Sequence, residues 1–435
     1  MAANGIRARA RRGRRAWMHT SLVLVLLPAL LSGCILGIPI VPGTTGSGRG
    51  SAPSARPFPS TAPLPPPALL DGSATLDGVP RFAVVRVAET GSIEVSEWDA
   101  GVLTKLFDVA PSPSERHDLG VELSAAPDGR RFVLAELVLV NNVYVSVLRV
   151  VDRQGTPSWT ASPGIQRPDL RWSPDGSMLA LDVGGAWHVV SFATGAPVET
   201  EITTKRPATA SGVVVYPWML IGFSEDGQWL YGAEQTGGEP WFRVAVRATV
   251  PDGAVTTIDA PPDGESNARL AAPHQTDHAR VVSTIDPGTG SVLTTGCGGI
   301  GQACRVTVWR GSQGSSFTLP AGSSWINATW SAGSILATWT RPTDSGDVMQ
   351  LSRFSVGGHP GVETPILTLP APRGAESITG ATDAAAVITY GTGAPMEIAE
   401  LVVVRLSDGA YAVVRAGSET TSADRYGFGG FITER

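Results

Sequence analysis

Thiol chemistry is open to this chain at three positions, Cys34, Cys297 and Cys304. Cys34 follows a basic segment with Arg7, Arg9, Arg11, Arg12, Arg14 and Arg15, then an apolar stretch that contains Pro28 and ends at Leu31. A run of about ten apolar residues is too short to cross a hydrocarbon core as a helix, which takes about 20. It fits a cleavable export signal. Export delivers the chain to an oxidising compartment, where the other two thiols make an even pair. They bracket the glycine-rich stretch Gly298-Gly299-Ile300-Gly301-Gln302-Ala303, which is pliable enough to fold back and bring the sulfurs together. A Cys297–Cys304 disulfide would contribute about 2–2.5 kcal/mol through the unfolded chain's lost freedom. The other use of paired thiolates is metal, but no histidine or cysteine cluster stands nearby to complete a site.

His274 and His278 are four apart, with Asp277 beside the second. On a helix that spacing could grip a metal. The surrounding stretch, Pro261 to His278, reads instead as a long polar loop. His117, His188 and His359 are isolated, and His188 sits in an alternating strand pattern as a structural residue. There is no HExxH, no P-loop and no G-x-S-x-G in the folded part. The sequence calls for no catalytic group, no metal and no cofactor.

The tetrapeptide Leu31-Ser32-Gly33-Cys34 resembles the lipobox of bacterial lipoproteins, and the resemblance implies Cys34 as the diacylglyceryl attachment site. The chain would then be held on the extracytoplasmic face of the cell membrane, with the bilayer as its first partner. Arg14-Arg15-Ala16-Trp17-Met18 resembles a twin-arginine export signal, although any signal peptide needs a basic segment. The whole chain has formal charge −6; losing residues 1–33 removes six of its 33 bases and leaves 27 against 39 acids, or −12. Such a balance excludes nucleic acid as a partner. It supplies no polybasic patch for anionic lipid either, so the acyl anchor would do the membrane work. Residues 35–70 hold nine prolines and no acid. They cannot bury a core and read as a disordered tether, with a reach of up to about 100 Å. The organisation is a signal peptide over 1–33, a lipidated cysteine and linker over 34–72, and a folded domain over 73–435.

That domain is written in short runs rich in Val, Thr, Ile and Trp, broken by Gly, Pro and Asp, an all-β pattern. It also repeats. Arg171-Trp172-Ser173-Pro174-Asp175-Gly176-Ser177-Met178-Leu179-Ala180-Leu181 is the clearest copy. Ile221–Tyr231, around Asp226-Gly227, and Leu123–Leu134, around Asp128-Gly129, match it. Each copy is strand, tight turn, strand, with Asp capping the turn and Gly taking positive φ. Asp77-Gly78 opens a weaker copy. The anchors fall at 78, 129, 176, 227, 290, 333 and 384. Asp128, Asp175 and Asp226 therefore belong to separate units. They are turn caps, not one calcium cage.

In the third unit four strands fit near Asp169–Trp172, Met178–Asp182, Trp187–Phe192 and Val198–Ile202. A four-stranded unit of this length is one blade of a β-propeller. Seven blades is the expectation, and six and eight fit the same spacing. A weak opening strand is expected near Ser73–Leu76, with the tail Tyr426–Thr433 pairing into the first blade to close the ring. The S-P-D-G copies resemble the repeats of TolB-like and WD40-like (PD40-type) propellers of bacterial exported proteins. The separate N-terminal domain typical of TolB has no counterpart here. The resemblance implies an envelope-associated binding role, with a protein or small-ligand partner on one propeller face. The alternative is a propeller enzyme of lactonase, lyase or glycosidase type. Trp172, Trp229, Trp330 and Trp339 are expected to fill the core. Trp218 and Trp241 lie at element edges, where an aromatic could stack on a ligand or simply pack a blade end.

Overall fold

The computed structural model describes residues between Thr75 and Thr433; outside the description are 1–74 and connecting segments, the longest being 203–215, 259–280 and 415–424. Among the described residues there are 28 strands, no helix, and seven four-stranded antiparallel sheets. Blade 1 contains β1 (Phe82–Val87), β2 (Ile93–Asp99) and β3 (Val102–Val109). Blade 2 is β4 (Val121–Ala125), β5 (Arg131–Val140), β6 (Val143–Asp152) and β7 (Pro157–Gly164). Blade 3 is β8 (Leu170–Trp172), β9 (Met178–Val183), β10 (Ala186–Ser191) and β11 (Val198–Ile202). Blade 4 is β12 (Tyr216–Phe223), β13 (Trp229–Thr236), β14 (Phe242–Thr249) and β15 (Val255–Thr257). Blade 5 is β16 (Val281–Ile285), β17 (Val292–Cys297), β18 (Cys304–Arg310) and β19 (Gln313–Thr318). Blade 6 is β20 (Ile326–Ser331), β21 (Ser334–Thr343), β22 (Gly346–Phe354) and β23 (Glu363–Pro370). Blade 7 is β24 (Glu376–Ala381), β25 (Ala385–Gly391), β26 (Ala399–Arg405) and β27 (Tyr411–Val414).

The sequence of each strand follows from its layer. Second strands are covered on both faces and read as apolar runs, as in β5, where Phe132-Val133-Leu134-Ala135 is buried throughout. Outermost strands face water, as in β11, exposed at four of five positions. Among the described residues there are seven apolar clusters, and each straddles two successive blades. One joins Val85 and Phe107 of blade 1 to Phe132 and Leu134 of blade 2. Others join blades 2 and 3, 3 and 4, 4 and 5, 5 and 6, and 6 and 7. The last joins Val387 and Val403 of blade 7 to Phe82 and Trp98 of blade 1. Seven sheets with seven shared cores make a closed ring, in which every apolar face finds a partner.

Closure is made by the last strand, β28 (Arg425–Phe431). Blade 1 has the order β28-β1-β2-β3, so β28 takes the innermost position. Of the stretch Ser73–Leu76, where an opening strand was expected, Ser73 and Ala74 lie outside the described residues and Thr75 and Leu76 are not in a strand; the chain's far end pairs with β1 instead. Phe428 and Phe431 close on the Phe82 ring at 5.6 and 5.9 Å, while Trp98 stacks on it at 4.9 Å. The interleaved glycines serve the opposite side of β28. A Cβ on Gly429 would come within 2.4 Å of Leu123 in blade 2. Beyond β28, Ile432 N–H donates to Arg81 O at 2.8 Å and Thr433 N–H to Pro127 O at 2.7 Å.

The anchor turns join the first and second strands of their blades. In blades 2, 3 and 4 the glycine N–H closes the turn onto Ala126, Ser173 and Ser224, at 2.8, 2.9 and 2.9 Å. The aspartate accepts from the backbone two residues on: Asp128 from Arg130, Asp175 from Ser177 and Asp226 from Gln228, at 2.9, 3.0 and 3.0 Å. Gly129, Gly176 and Gly227 have φ of +64°, +72° and +72°, and Gly78 has +81°, values that favour glycine. Neighbouring turns also touch, since a Cβ on Gly176 would meet the Asp128 carboxyl at 3.1 Å.

Candidate functional site

The cluster shared by blades 4 and 5 is the smallest of the seven, with six buried apolar residues among those described. Here the innermost strand of blade 5, β16, packs against β13 and β14, the middle strands of blade 4. An open cleft of about 870 Å³ lies at this junction, on the face carrying the anchor turns. That is a volume typical of small-ligand sites.

Strand register builds one wall. Pairing of β13 with β14 sets Arg247 opposite Tyr231, one step diagonal from Trp229. The Arg247 guanidinium consequently lies over the Trp229 indole, 4.1 Å from the ring centre, a cation–π contact. Tyr231 stands beside them, largely buried, and burial pushes its phenol pKa up, while the nearby Arg247 charge works against that rise. Two anchor turns form the rim. In blade 4, Ser224 Oγ donates to Asp226 Oδ1 at 2.5 Å and Gln228 N–H adds a second bond at 3.0 Å. Those bonds hold the Asp226 carboxyl below the usual range, the Ser224 hydroxyl most strongly. In blade 5, Thr289 donates to the Asp286 carboxylate and Gly290 N–H to Asp286 O at 2.8 Å. Glu225 N–H donates to Pro287 O at 3.0 Å, stitching the two turns together. The Glu225 carboxylate passes so near Gly288 that a Cβ there would lie 3.1 Å from it. Ser291, Ile258, Arg310 and Gly311 complete the lining.

The rim carboxylates of Asp226 and Asp286 are thus engaged by their own turns, whereas Arg247 and Arg310 bring a guanidinium to each wall. An indole, a phenol, two guanidiniums and serine and threonine hydroxyls in a wet cleft suit a polar ligand with an acidic or planar group. Among the described residues, no group of three or more His, Cys, Asp or Glu side chains could hold a metal ion.

The expected site residues are dispersed. Cys34, His117, Trp241, His274, Asp277, His278 and His359 lie outside the described residues. Trp218 falls within β12, beside the cleft-bearing blade, and its side chain is outside the description. His188 Nδ1 contacts Glu199 Oε1 across β10 and β11 at 2.8 Å. Cys297 and Cys304 stand directly opposite each other in the β17–β18 register, and Cys304 is fully buried. Trp172 and Trp339 are buried as expected of core residues, but Trp229 and Trp330 are only half-buried. Trp229 packs at the edge of the blade 4–5 cluster and lines the cleft. The sequence signal for Arg247 was the β13–β14 hairpin, whose alignment alone sets it opposite Tyr231.

No family model and no curated protein matches the chain. Among solved structures it is similar to one of two prolyl endopeptidases, at 11% identity and TM-score 0.45, over 80% of this chain and 50% of that one. It is also similar to an oligogalacturonate lyase in complex with manganese, at 13% identity and TM-score 0.46, over 81% and 89%. A putative 6-phosphogluconolactonase from Bacteroides fragilis is similar at 12% identity and TM-score 0.42, over 83% and 97%. The chain spans about half the length of the prolyl endopeptidase it matches. The blade count rests on the sheet pairing and not on these likenesses.

Proposed function

We propose that this chain is an exported lipoprotein whose propeller is a non-catalytic binding module of the cell envelope, and that the cleft between blades 4 and 5 is its ligand site. Acylated Cys34 anchors the chain at the extracytoplasmic face of the membrane, residues 34–72 act as the tether, and a Cys297–Cys304 disulfide clips the β17–β18 hairpin. The observation that carries the binding role is the cleft itself, with Arg247 over Trp229 and the Asp226 and Asp286 carboxylates held by their own turns. Its aromatic and guanidinium groups recognise ligands and need no chemistry of their own to do so.

The test couples anchoring to capture. Radiolabelled palmitate is expected to enter the full chain in intact cells and to be lost in Cys34→Ala. A photo-crosslinker at position 225, exposed on the cleft rim, is expected to trap one recurrent partner or ligand, and Trp229→Ala with Arg247→Ala to abolish the adduct. An unchanged adduct in that double variant refutes the cleft. Stoichiometric metal in the purified chain together with turnover of a lactone or glycoside refutes the non-catalytic role.

A further inference from the structure

One hairpin of blade 2 outreaches its neighbours. The second strands β1 and β9 follow their anchor turns and run six residues each, whereas β5 runs ten and β6 returns over ten. The four extra residues of β5 amount to about 13 Å of strand. The two strands stay in register to the tip, where Val140 pairs with Val143. Asn141 and Asn142 reverse the chain with φ of +51° and +61°, the kind of two-residue turn that matches strand twist. The base is braced by the segment that leaves blade 1. Leu139 N–H donates to Ser114 Oγ at 2.9 Å, and Ser112 N–H donates to the Glu136 carboxylate at 2.7 Å. Arg149 engages the same carboxylate from β6. The hairpin is a held finger.

Its tip is apolar on both faces. Leu134 packs toward blade 1 and Ala135 toward blade 3. Alternation then sets Val140 and Val143 on the first side, and Leu139 and Tyr144 on the second. Val140, Val143 and Tyr144 are 43%, 48% and 41% exposed. The other strongly exposed large apolar residues among those described, Val102, Val198 and Val362, stand singly elsewhere in the ring. No residue from Leu137 to Leu148 is charged, and the flanking Glu136 and Arg149 pair with each other.

We infer that this finger is a second membrane contact, in which Val140, Val143 and Tyr144 seat at the headgroup–acyl boundary of the bilayer and orient the ring on it. Shape selects this occupant. A partner protein or a second copy laid on the hairpin covers one face and leaves the other wet, whereas a fluid boundary surrounds both. Three partly exposed side chains also fall far short of the about 800 Å² that each partner gives to a stable dimer. The uncharged tip suits neutral lipid, and an acidic chain gains nothing from anionic headgroups. The backbone sets the depth. Beyond Glu136 and Ser146, β5 and β6 have no further strand partner on their outer sides among the described residues. Unpaired N–H and C=O groups are not carried into hydrocarbon, so the contact is shallow, with Tyr144 at the interface where tyrosine is favoured. The inference rests on the lipoprotein reading for the encounter alone. Within a tether's reach of the bilayer, a contact too weak to hold a free chain is made at high effective concentration.

The experiment uses the full chain in phosphatidylcholine vesicles, with an environment-sensitive fluorophore at position 142 or, as control, at exposed position 130 beside the other end of β5. Lipid with a nitroxide near its headgroup should quench position 142 about twofold and leave position 130 unchanged. A nitroxide at the acyl-chain end should quench position 142 less. Val140→Thr, Val143→Thr and Tyr144→Thr together keep strand propensity and should abolish the quenching with the urea midpoint unchanged. A second preparation carries Cys34→Ala and an N-terminal hexahistidine held by nickel-chelating lipid, so that tethering no longer needs acylation. Quenching at 142 there, with no palmitate on the unaltered chain, refutes the anchor and upholds the finger. Palmitate on the chain with no quenching at 142 in either preparation refutes the finger alone. Equal quenching at 130 and 142, quenching that survives the triple substitution, a dimer in vesicle-free solution that this substitution dissolves, or capture of a protein in place of lipid by a photo-crosslinker at position 142 in intact cells would each overturn the inference.

Discussion

Ending the chain at residue 424 removes β28 and Ile432, and it tests the ring directly. The loss can be sized from the structure. Phe82 has no exposed surface, and two of its three aromatic neighbours, Phe428 and Phe431, leave with the strand. Ile432, 4% exposed, also leaves the cluster shared by blades 1 and 2. Each fully buried large apolar side chain contributes about 1.5–3 kcal/mol. With both phenylalanines half-buried, the uncovered Phe82 face and Ile432 raise the apolar loss to about three full side chains, or about 5–9 kcal/mol. The six-residue ladder with β1 disappears as well. Domains of ordinary stability have about 5–15 kcal/mol in total. The truncated chain is therefore expected to lose cooperative unfolding, whereas Phe431→Ala, acting on one half-buried ring, should cost about 2 kcal/mol. Urea titration followed by tryptophan fluorescence gives both values, and a peptide of residues 419–435 added in trans should restore the transition. A truncated chain with the full chain's midpoint and slope would refute closure by the last strand.

Gly176→Ala should cost about 1–3 kcal/mol in the same titration, since alanine would be strained at φ +72° and its Cβ would crowd the Asp128 carboxyl. Asp408, held by Arg405 and the Ala410 N–H, has its pKa lowered to about 2. Its folded value lies below the unfolded one, so its contribution is present above about pH 4 and fades as pH falls toward 2. Carboxyl-carbon NMR should show this titration, and Arg405→Gln should move it up. The Tyr231 phenol is raised by burial and restrained by Arg247. Its neutral form is favoured in the fold, so stability should fall as pH rises past about 10, and Arg247→Gln should push the tyrosinate absorbance step, assigned against Tyr231→Phe, to higher pH.

The ring was legible because its punctuation is local. Asp-Gly turns at 128–129, 175–176 and 226–227 declare themselves within a few residues, and the four strands of blade 3 lie within two residues of the positions that turn chemistry and alternation assign. The glycines and phenylalanines of the tail also foretold a closing strand, since the first blade's own opening strand was weak. What the tail displaces was not legible, because the distance between residues 76 and 426 leaves no local trace of which strand takes the inner place. The cleft was hidden for the same reason. Its walls bring Trp229 and Arg247 against Thr289 and Arg310, and nothing near Trp229 in the sequence marks it as a cleft residue, since it takes the place that Met178 fills after the matching turn of blade 3.

The cleft also explains why a ring of similar blades acquires one distinctive site. In blade 3 the position that matches Trp229 is Met178, which packs against the larger core that blades 3 and 4 share, including Trp187, Leu220 and Leu230. At the next interface, β16 meets β13 and β14 through a smaller core built on Tyr231, Ile285, Val292 and Trp309. The Trp229 indole stays half-open there, and Arg247 covers one of its faces. An arginine held on an aromatic keeps its charge while losing some freedom of its stem, so less entropy remains to be lost when an anion arrives. Filling the junction should reverse this. Ser291→Leu, which adds apolar bulk at the base of the blade 5 turn, is expected to raise the urea midpoint and to eliminate crosslinking from position 225. A gain in stability with capture undiminished would show that the thin core and the binding site are unrelated.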